Sequence, residues 1–243
     1  MKAIILAAGL GIRLRPLTER IPKPLINIDG KTLIKRSLEN LNYFKFDEIL
    51  IVVGYLQDYI KKEIGSNYRN TKITYVFNPD YSNTGSMYSL SQTKDLVNDD
   101  ILLLEGDLLY DKKALECLLN STEPNEILVA PLSGSGDEVY ICVNESNMLT
   151  NLGKNIKNKK DAIGELVGIS KLSFDFLLNL YKKAEDNYNK NNKLYHYEEV
   201  IYELSKNYPI KCKLINDLNW IEIDNESDLN RAINKIYPKI KNK

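Results

Sequence analysis

The residues best equipped for chemistry lie close to the start of the chain. An apolar run, Ala3-Ile4-Ile5-Leu6-Ala7-Ala8, ends in Gly9; Leu10-Gly11-Ile12-Arg13-Leu14-Arg15-Pro16-Leu17 follows, then Pro22-Lys23-Pro24-Leu25. A buried strand that stops in a glycine-rich turn carrying arginines is suited to holding phosphate. Gly9 and Gly11 lack a Cβ, so the chain can take positive φ there and bring backbone N–H groups close to anionic oxygens. Arg13 and Arg15 add planar, permanently charged donors that match phosphate geometry. A dinucleotide fingerprint would need glycine where Leu14 stands, and a P-loop would need Gly-Lys-Ser/Thr, so neither applies. Lys23 sits between two prolines, which predicts extended backbone there.

The second group of chemical residues is acidic. Glu105-Gly106-Asp107 follows the apolar Ile101-Leu102-Leu103-Leu104, and Glu222-Ile223-Asp224 places two carboxylates on one side of a late strand. Hard oxygen ligands together with nucleotide phosphates are what Mg²⁺ requires, because it keeps waters and seldom uses an all-protein cage. From these letters alone, Gly106-Asp107 is equally a turn and Asp224 equally a helix cap. A metal-dependent glycosyltransferase also uses acids after a strand, usually as Asp-x-Asp, whereas Asp107 is preceded by Glu105 and Gly106.

Positioning these groups requires a sheet. Ala3–Ala7, Ile49–Val53, Ile73–Phe77 and Ile101–Leu104 are continuous apolar runs of strand length. Leu33, Ile34, Leu38 and Leu41 recur at helical spacing between the first two. Continuous rather than alternating hydrophobicity implies burial on both faces, hence a parallel sheet in an α/β doubly wound arrangement. Ligands in such sheets sit beyond the carboxyl ends of the strands, where Gly9, Gly54-Tyr55, Asn78-Pro79 and Gly106-Asp107 fall. Further on, Glu126–Val129, Val139–Val143 and Gly164–Ser170 read as strands, and Ser173–Asp186 and Tyr197–Lys206 as helices. Asn151–Lys160 reads as a hinge or loop, and Trp220–Asp224 as a final strand. Asn225 or Ser227 caps a closing helix over Asp228–Ile236. The whole chain, 1–243, is expected to be one domain, with a nucleotide-binding part over about 1–115 and a small acceptor-binding lobe with the closing strand and helix over about 116–243.

Composition excludes some partners. Lys plus Arg equals Asp plus Glu at 33 each, so no global field favours nucleic acid or an anionic membrane, and any anion binding must be local. Cys117, Cys142 and Cys212 are scattered without metal spacing, as expected of reduced thiols in the cytoplasm. No stretch has the length of a membrane span, so no membrane insertion is expected. One histidine leaves little room for general-base chemistry. A phosphate-type group whose second pKa is about 6 is already largely dianionic at neutral pH and needs no such base to react.

The string from Gly9 to Leu25 resembles the opening of the nucleotidyltransferase superfamily, which includes sugar-1-phosphate nucleotidylyltransferases and the bacterial phosphocholine cytidylyltransferases. The family places Ser or Thr where Ile12 stands, which removes one side-chain contact to phosphate and leaves the backbone cradle. The resemblance implies a Rossmann-like, GT-A-like fold and an in-line attack on the α-phosphorus of a nucleoside triphosphate. It implies nucleotide binding by Leu6, Ala7, Ala8, Gly9, Gly11 and Arg13, by Asn83, Thr84, Gly85 and Ser86 at the base, and by Glu105 and Gly106. Arg13 would face the departing β,γ-phosphates, Lys23 the α-phosphate and acceptor oxygens, with both taken as catalytic, and Asp107 and Asp224 would hold Mg²⁺. Asn83–Leu90 also reads as a helix start capped by Ser86 or Thr84, so cytosine over uracil comes from the resemblance alone.

For the acceptor, the compact chain and Ile221-Glu222-Ile223-Asp224 look like the phosphocholine enzymes. Gly136-Asp137-Glu138-Val139-Tyr140, Gly164–Leu172 and Trp220–Asp224 further resemble cytidylyltransferases that activate 2-aminoethylphosphonate. An aminoalkyl head group needs carboxylates or aromatic faces, for which Tyr195, Tyr197, Glu198, Glu165 and Trp220 are candidates, with Glu222, Lys154 and Lys23 completing the acceptor set. Tyr195-His196-Tyr197 equally reads as the packing of a helix onto the core. The expected partners are CTP and a small phosphonate or phosphate, the product feeding cell-surface glycan or lipid modification. Phosphocholine, phosphoethanolamine and sugar 1-phosphates remain alternative acceptors, a homodimer is compatible with the sequence, and a non-catalytic nucleotide-sensing subunit is the reading from another class.

Overall fold

The computed structural model describes residues 1–241. Four parallel strands form its centre, in the spatial order Thr71–Phe77, Glu48–Val53, Lys2–Ala7, Ile101–Glu105. Ile5 stands opposite Ile51 on one side and Leu104 on the other. Alternate residues enter different layers: Ile4, Leu50 and Leu103 pack into one apolar cluster, and Ile5, Ile51 and Leu104 into the other. That division is why Lys2–Ala7, Glu48–Val53 and Ile101–Glu105 are apolar along most of their length, each such side chain contributing about 1.5–3 kcal/mol when fully buried. The helix Leu33–Leu41 covers the second layer with the apolar face its spacing predicts, and the Thr32 hydroxyl caps it by accepting from the Lys35 N–H.

The second half of the chain joins the same sheet through one strand of opposite polarity. Strand Gly164–Leu172 runs antiparallel to Ile101–Glu105, with Ile169 opposite Leu104, and also pairs with Glu126–Ala130. Tyr140–Val143 and Leu149–Gly153 extend the edge. The predicted loop over Asn151–Lys160 therefore begins inside a strand; Leu149 and Leu152 supply a buried face too short and too polar to read as one beforehand. The strand expected from Val139 starts at Tyr140. Helices Phe174–Tyr188, capped by Ser173, and Tyr197–Ser205 cover the first layer.

One short pairing matters most for the site. Trp220–Glu222 leaves the large sheet and runs antiparallel to Leu108–Tyr110, with Glu222 opposite Leu108, and the Ile223 N–H donates to the Asp107 carbonyl at 3.2 Å. This draws the late acidic segment against the turn after Ile101–Glu105. The closing helix begins earlier than its periodicity suggests, at Glu226, because the Asn225 side chain accepts from the Asp228 N–H; Ala232–Ile236 continues it as a π-helical turn. No helix among the described residues is long and apolar enough to cross a membrane.

Candidate active site

The two glycines of the turn after the first strand differ in conformation. Gly11 has φ 62°, and a Cβ there would lie 3.2 Å from Thr18 Cγ2 and 3.4 Å from Lys23 Cβ, so both conformation and space call for glycine. Gly9 does not take a positive φ, and a Cβ on it would meet nothing within 4 Å; its contribution is an open mouth rather than an unusual backbone. The buried Thr18 hydroxyl donates to the Gly11 carbonyl at 2.7 Å and holds the turn closed. Ile12 and Arg15 are exposed beyond it.

Lys23 is not extended. It opens a single 3-10 turn, Lys23–Leu25, closed by the Ile26 N–H on its carbonyl at 3.0 Å. Its ammonium is tethered by charge instead, 2.5 Å from Asp107 Oδ2 and 2.6 Å from Asp224 Oδ1. Arg13 approaches the other oxygen of Asp224 at 2.9 Å and Asp137 at 2.5 Å, and Asp137 also pairs with Lys154 at 2.6 Å. Residues separated by two hundred positions thus share one ionic cluster.

Behind it, carboxylate oxygens of Glu105, Asp107 and Glu222 lie within 4.8 Å of one another. Asp107 Oδ1 is buried without a hydrogen-bond partner among the described residues. A hard divalent cation fits this donor set, which is all oxygen and carries an unspent lone pair. The grouping differs in emphasis from the predicted pair: Asp107 belongs to it, Asp224 stands beside it held by Lys23 and Arg13, and Glu222 and Glu105 join from the predicted acceptor and nucleotide sets.

The cluster lies along a cleft of about 1110 Å³. Leu6, Ala8, Gly9 and Arg13 line it from the first turn, Thr84, Gly85 and Ser86 from the third crossover, and Lys154, Glu198 and Glu222 from the second half. Several predicted residues lie elsewhere. Ala7 packs into the core, Gly106 presses against the Leu6 carbonyl, and Asn83 is exposed, its amide donating to Asp80 at 2.8 Å. Glu165 faces away, accepting from the Ser133 N–H at 2.6 Å, and Trp220 lines a small adjoining pocket with it. Tyr197 is fully buried and points its hydroxyl at Glu105, 2.8 Å away, so it orients that carboxylate rather than facing the cleft.

Gly85, not Ser86 or Thr84, precedes the helix Ser86–Ser91, and it makes no side-chain cap. A Cβ at Gly85 would sit 2.2 Å from the Tyr195 carbonyl, so the segment before helix Tyr197–Ser205 is wedged against it. The Gly85 N–H donates to the Lys193 carbonyl at 2.8 Å, and Ser86 Oγ accepts from the Tyr197 N–H at 3.2 Å. Buried Asn78 braces the loop from beneath, donating to Ser89 Oγ at 3.0 Å and Thr84 Oγ1 at 3.2 Å.

Electrostatics mark the site as short of positive charge. Burial, then repulsion from Asp107 and Glu198, push the Glu105 carboxyl up to about 8, against the opposing Tyr197 hydrogen bond and Lys23. Burial with the charges of Glu105, Asp107 and Asp224 raises Glu222 well above the carboxylate range, and burial raises Glu198. Lys23 is the converse: burial works against its charge, but Asp107, Asp224 and Glu222 outweigh it and its pKa rises. Carboxylates in this arrangement accept a cation readily, whether a metal ion or an ammonium.

Sequence reasoning assigned no role to Asp137, Tyr202 or Gly168. Tyr202 lies one helical turn beyond Glu198 on the cleft side, a spacing legible in advance. Asp137 lies in an irregular loop and pairs with Arg13 and Lys154; the block Gly136–Tyr140 contains it, but no local pattern reveals that pairing. Gly168 carries φ 79° at a strand bulge, and a Cβ there would lie 2.5 Å from Glu105 Oε2.

Comparison with known proteins gives a consistent outcome. The family model described as nucleotidyl transferase matches residues 2–133. The chain is 34% identical over 139 residues to CMP-5'-(3-aminopropyl)phosphonate synthase of Streptomyces rubellomurinus, covering 56% of this chain and 22% of that protein. It is 38% identical over 125 residues to choline-phosphate cytidylyltransferase of Streptococcus pneumoniae, covering 50% and 52%. These matches span about a fifth and about half of the relatives' lengths. CTP:phosphoglutamine cytidylyltransferase of Campylobacter jejuni is 28% identical over 97% of this chain and 100% of its own. Among solved structures, the inositol-1-phosphate CTP transferase from T. maritima superposes with TM-score 0.83 at 23% identity, covering 99% of this chain and 96% of that one, a likeness of fold.

Proposed function

The chain belongs to the nucleotidyl transferase family, and from that premise we propose that it is a Mg²⁺-dependent cytidylyltransferase joining CTP to a small aminoalkyl phosphonate or phosphate, with 2-aminoethylphosphonate as the preferred acceptor. The observation that carries this reading is the ionic junction of Lys23, Arg13, Asp107 and Asp224 beside a cleft that Arg13, Asp107, Glu105, Glu198 and Glu222 line. Phosphate-binding cations therefore meet a carboxylate wall suited to an acceptor's ammonium. The names of the phosphonate and choline-phosphate relatives support the same acceptor chemistry.

In this mechanism an acceptor phosphonate oxygen attacks the α-phosphorus of CTP. The new O–P bond forms as the α–β bridging P–O bond breaks, and pyrophosphate carries away the electron pair. Arg13 receives charge that develops on the β,γ-phosphates, and Lys23 leaves its carboxylates to bridge the α-phosphate and the attacking oxygen. Asp107 with Glu222 or Asp224 would hold Mg²⁺, which when bound screens the triphosphate's charge. The acceptor is already anionic, so no base is required, in keeping with a site that holds only His196, whose Nδ1 lies 3.2 Å from Ser86 Oγ. Glu198 and Glu105 orient the ammonium, and Tyr202 and Tyr195 close around it.

Pyrophosphate release measured with CTP and Mg²⁺ against 2-aminoethylphosphonate, phosphocholine, phosphoethanolamine and glucose 1-phosphate tests the reading. Preference for 2-aminoethylphosphonate is expected. Turnover with glucose 1-phosphate alone would overturn the acceptor assignment, and silence with all four would move weight to the non-catalytic subunit.

A further inference from the structure

The position of Lys23 does not match the role just given to it. A lysine that bridges phosphate oxygens in the proposed reaction lies between the two aspartates expected to hold the metal. Its ammonium is within hydrogen-bond distance of both, 2.5 Å from Asp107 and 2.6 Å from Asp224, and its side chain is 12% exposed. No other cation touches Asp107 among the described residues, whereas Asp224 is also contacted by Arg13 at 2.9 Å.

Two facing carboxylates in a partly buried site, with Glu105 and Glu222 behind them, cannot all remain ionised and unpaired. A divalent ion touching Asp107 and Asp224 together would have to share the space that the ammonium occupies. Lysine is suited to alternate because its charge is compact and rides on a flexible four-carbon stem. We propose that Lys23 is the resident counter-ion of the metal site, and that nucleotide phosphates release the site for metal by drawing Lys23 away. Metal and nucleotide binding are then positively coupled through one side chain, and metal alone binds weakly. The inference rests on the metal assignment in the proposed function but not on the acceptor or on turnover.

Reciprocity sets the test, since a group that blocks metal in the absence of nucleotide must also carry part of the nucleotide's effect on metal affinity. Mn²⁺ binding is measured by the paramagnetic resonance signal of free Mn²⁺, in the full chain without nucleotide, for the wild type, Lys23→Ala and Lys23→Met. Both variants are expected to bind Mn²⁺ about tenfold more tightly than the wild type, while losing turnover. Adding CTP should tighten Mn²⁺ binding in the wild type and have a smaller effect in the variants. Unchanged or weaker Mn²⁺ binding in the variants overturns the inference. Melting midpoints provide a second readout, because a ligand specific to the folded state raises them. Mn²⁺ should raise the variants' midpoints more than the wild type's, and an equal or smaller rise also overturns it. Failure of pyrophosphate release with every acceptor, alongside tightened Mn²⁺ binding, would fault the proposed reaction and leave this inference standing.

Discussion

Asp107 is the residue on which most of the site converges. It pairs with Lys23, shares the cluster with Glu105 and Glu222, and keeps one buried oxygen unsatisfied. Asp107→Asn preserves shape and removes charge, so pyrophosphate release should fall by about 10²–10³-fold with little change in melting midpoint. Near-normal rates would remove it from the chemistry. Gly168 acts on a neighbour instead. Alanine there would be strained at φ 79° and would push its Cβ against Glu105. Gly168→Ala is therefore expected to cost about 1–3 kcal/mol in denaturant unfolding and to lower turnover together. A stable variant with full activity would show that the bulge has slack.

At the scale of elements, two loops shape the cleft. The segment Asn78–Ser86 is held from below by Asn78 and from the side by the backbone of Lys193–Tyr197. Asn78→Ala strips a buried brace and leaves hydroxyls without their donor, so about 1–3 kcal/mol of stability should be lost and the KM for CTP should rise more than kcat falls. Steady-state kinetics with CTP varied would separate the two. The loop carrying Asp137 works in the opposite sense, because its carboxylate occupies Arg13 and Lys154, cations that the proposed function assigns to substrate. Asp137→Asn frees Lys154 and leaves Arg13 with Asp224 as its remaining partner, and titration calorimetry with inorganic pyrophosphate should find tighter binding by a factor of a few; weaker binding would mean that Asp137 orients the cations rather than competing for them. Element periodicity was informative where helices and strands are long. It failed at Leu149–Gly153 and Leu108–Tyr110, which are too short to carry a period and owe their pairing to neighbours distant in sequence.

For the molecule as a whole, the parallel centre is clamped at its amino-terminal edge by Glu48. Its carboxylate pairs with Lys2 at 2.9 Å and Lys72 at 2.7 Å and accepts from Thr74, tying three adjacent strands together. Partial burial opposes its ionisation, but Lys72, Thr74 and Lys2 outweigh that and lower its pKa from 4.5 to about 2. A carboxyl whose pKa is depressed in the folded state contributes stability that is complete above its unfolded value and is lost as pH falls through the folded one. Glu48→Gln should therefore lower the urea midpoint at neutral pH, with the difference from wild type shrinking between about pH 4.5 and pH 2. A difference that stayed constant with pH would assign Glu48 a packing role instead.

By itself the sequence determined the glycine turn after the first strand, the doubly wound centre and the family. These depend on local patterns: apolar runs, a glycine at Gly11 where φ must be positive, and charged residues at fixed short spacing. The residues that meet in the ionic and carboxylate cluster were also legible as candidates, since Arg13, Lys23, Asp107, Glu222 and Asp224 stand at the ends of recognisable runs. Only the tertiary structure decided how those groups divide. It turned Tyr197 inward and Glu165 away from the cleft, brought Asp137 onto Arg13, and set Lys23 between Asp107 and Asp224. Each of these outcomes depends on where a side chain points once a strand such as Trp220–Glu222 has paired with a partner more than a hundred residues away, and no local pattern carries that information.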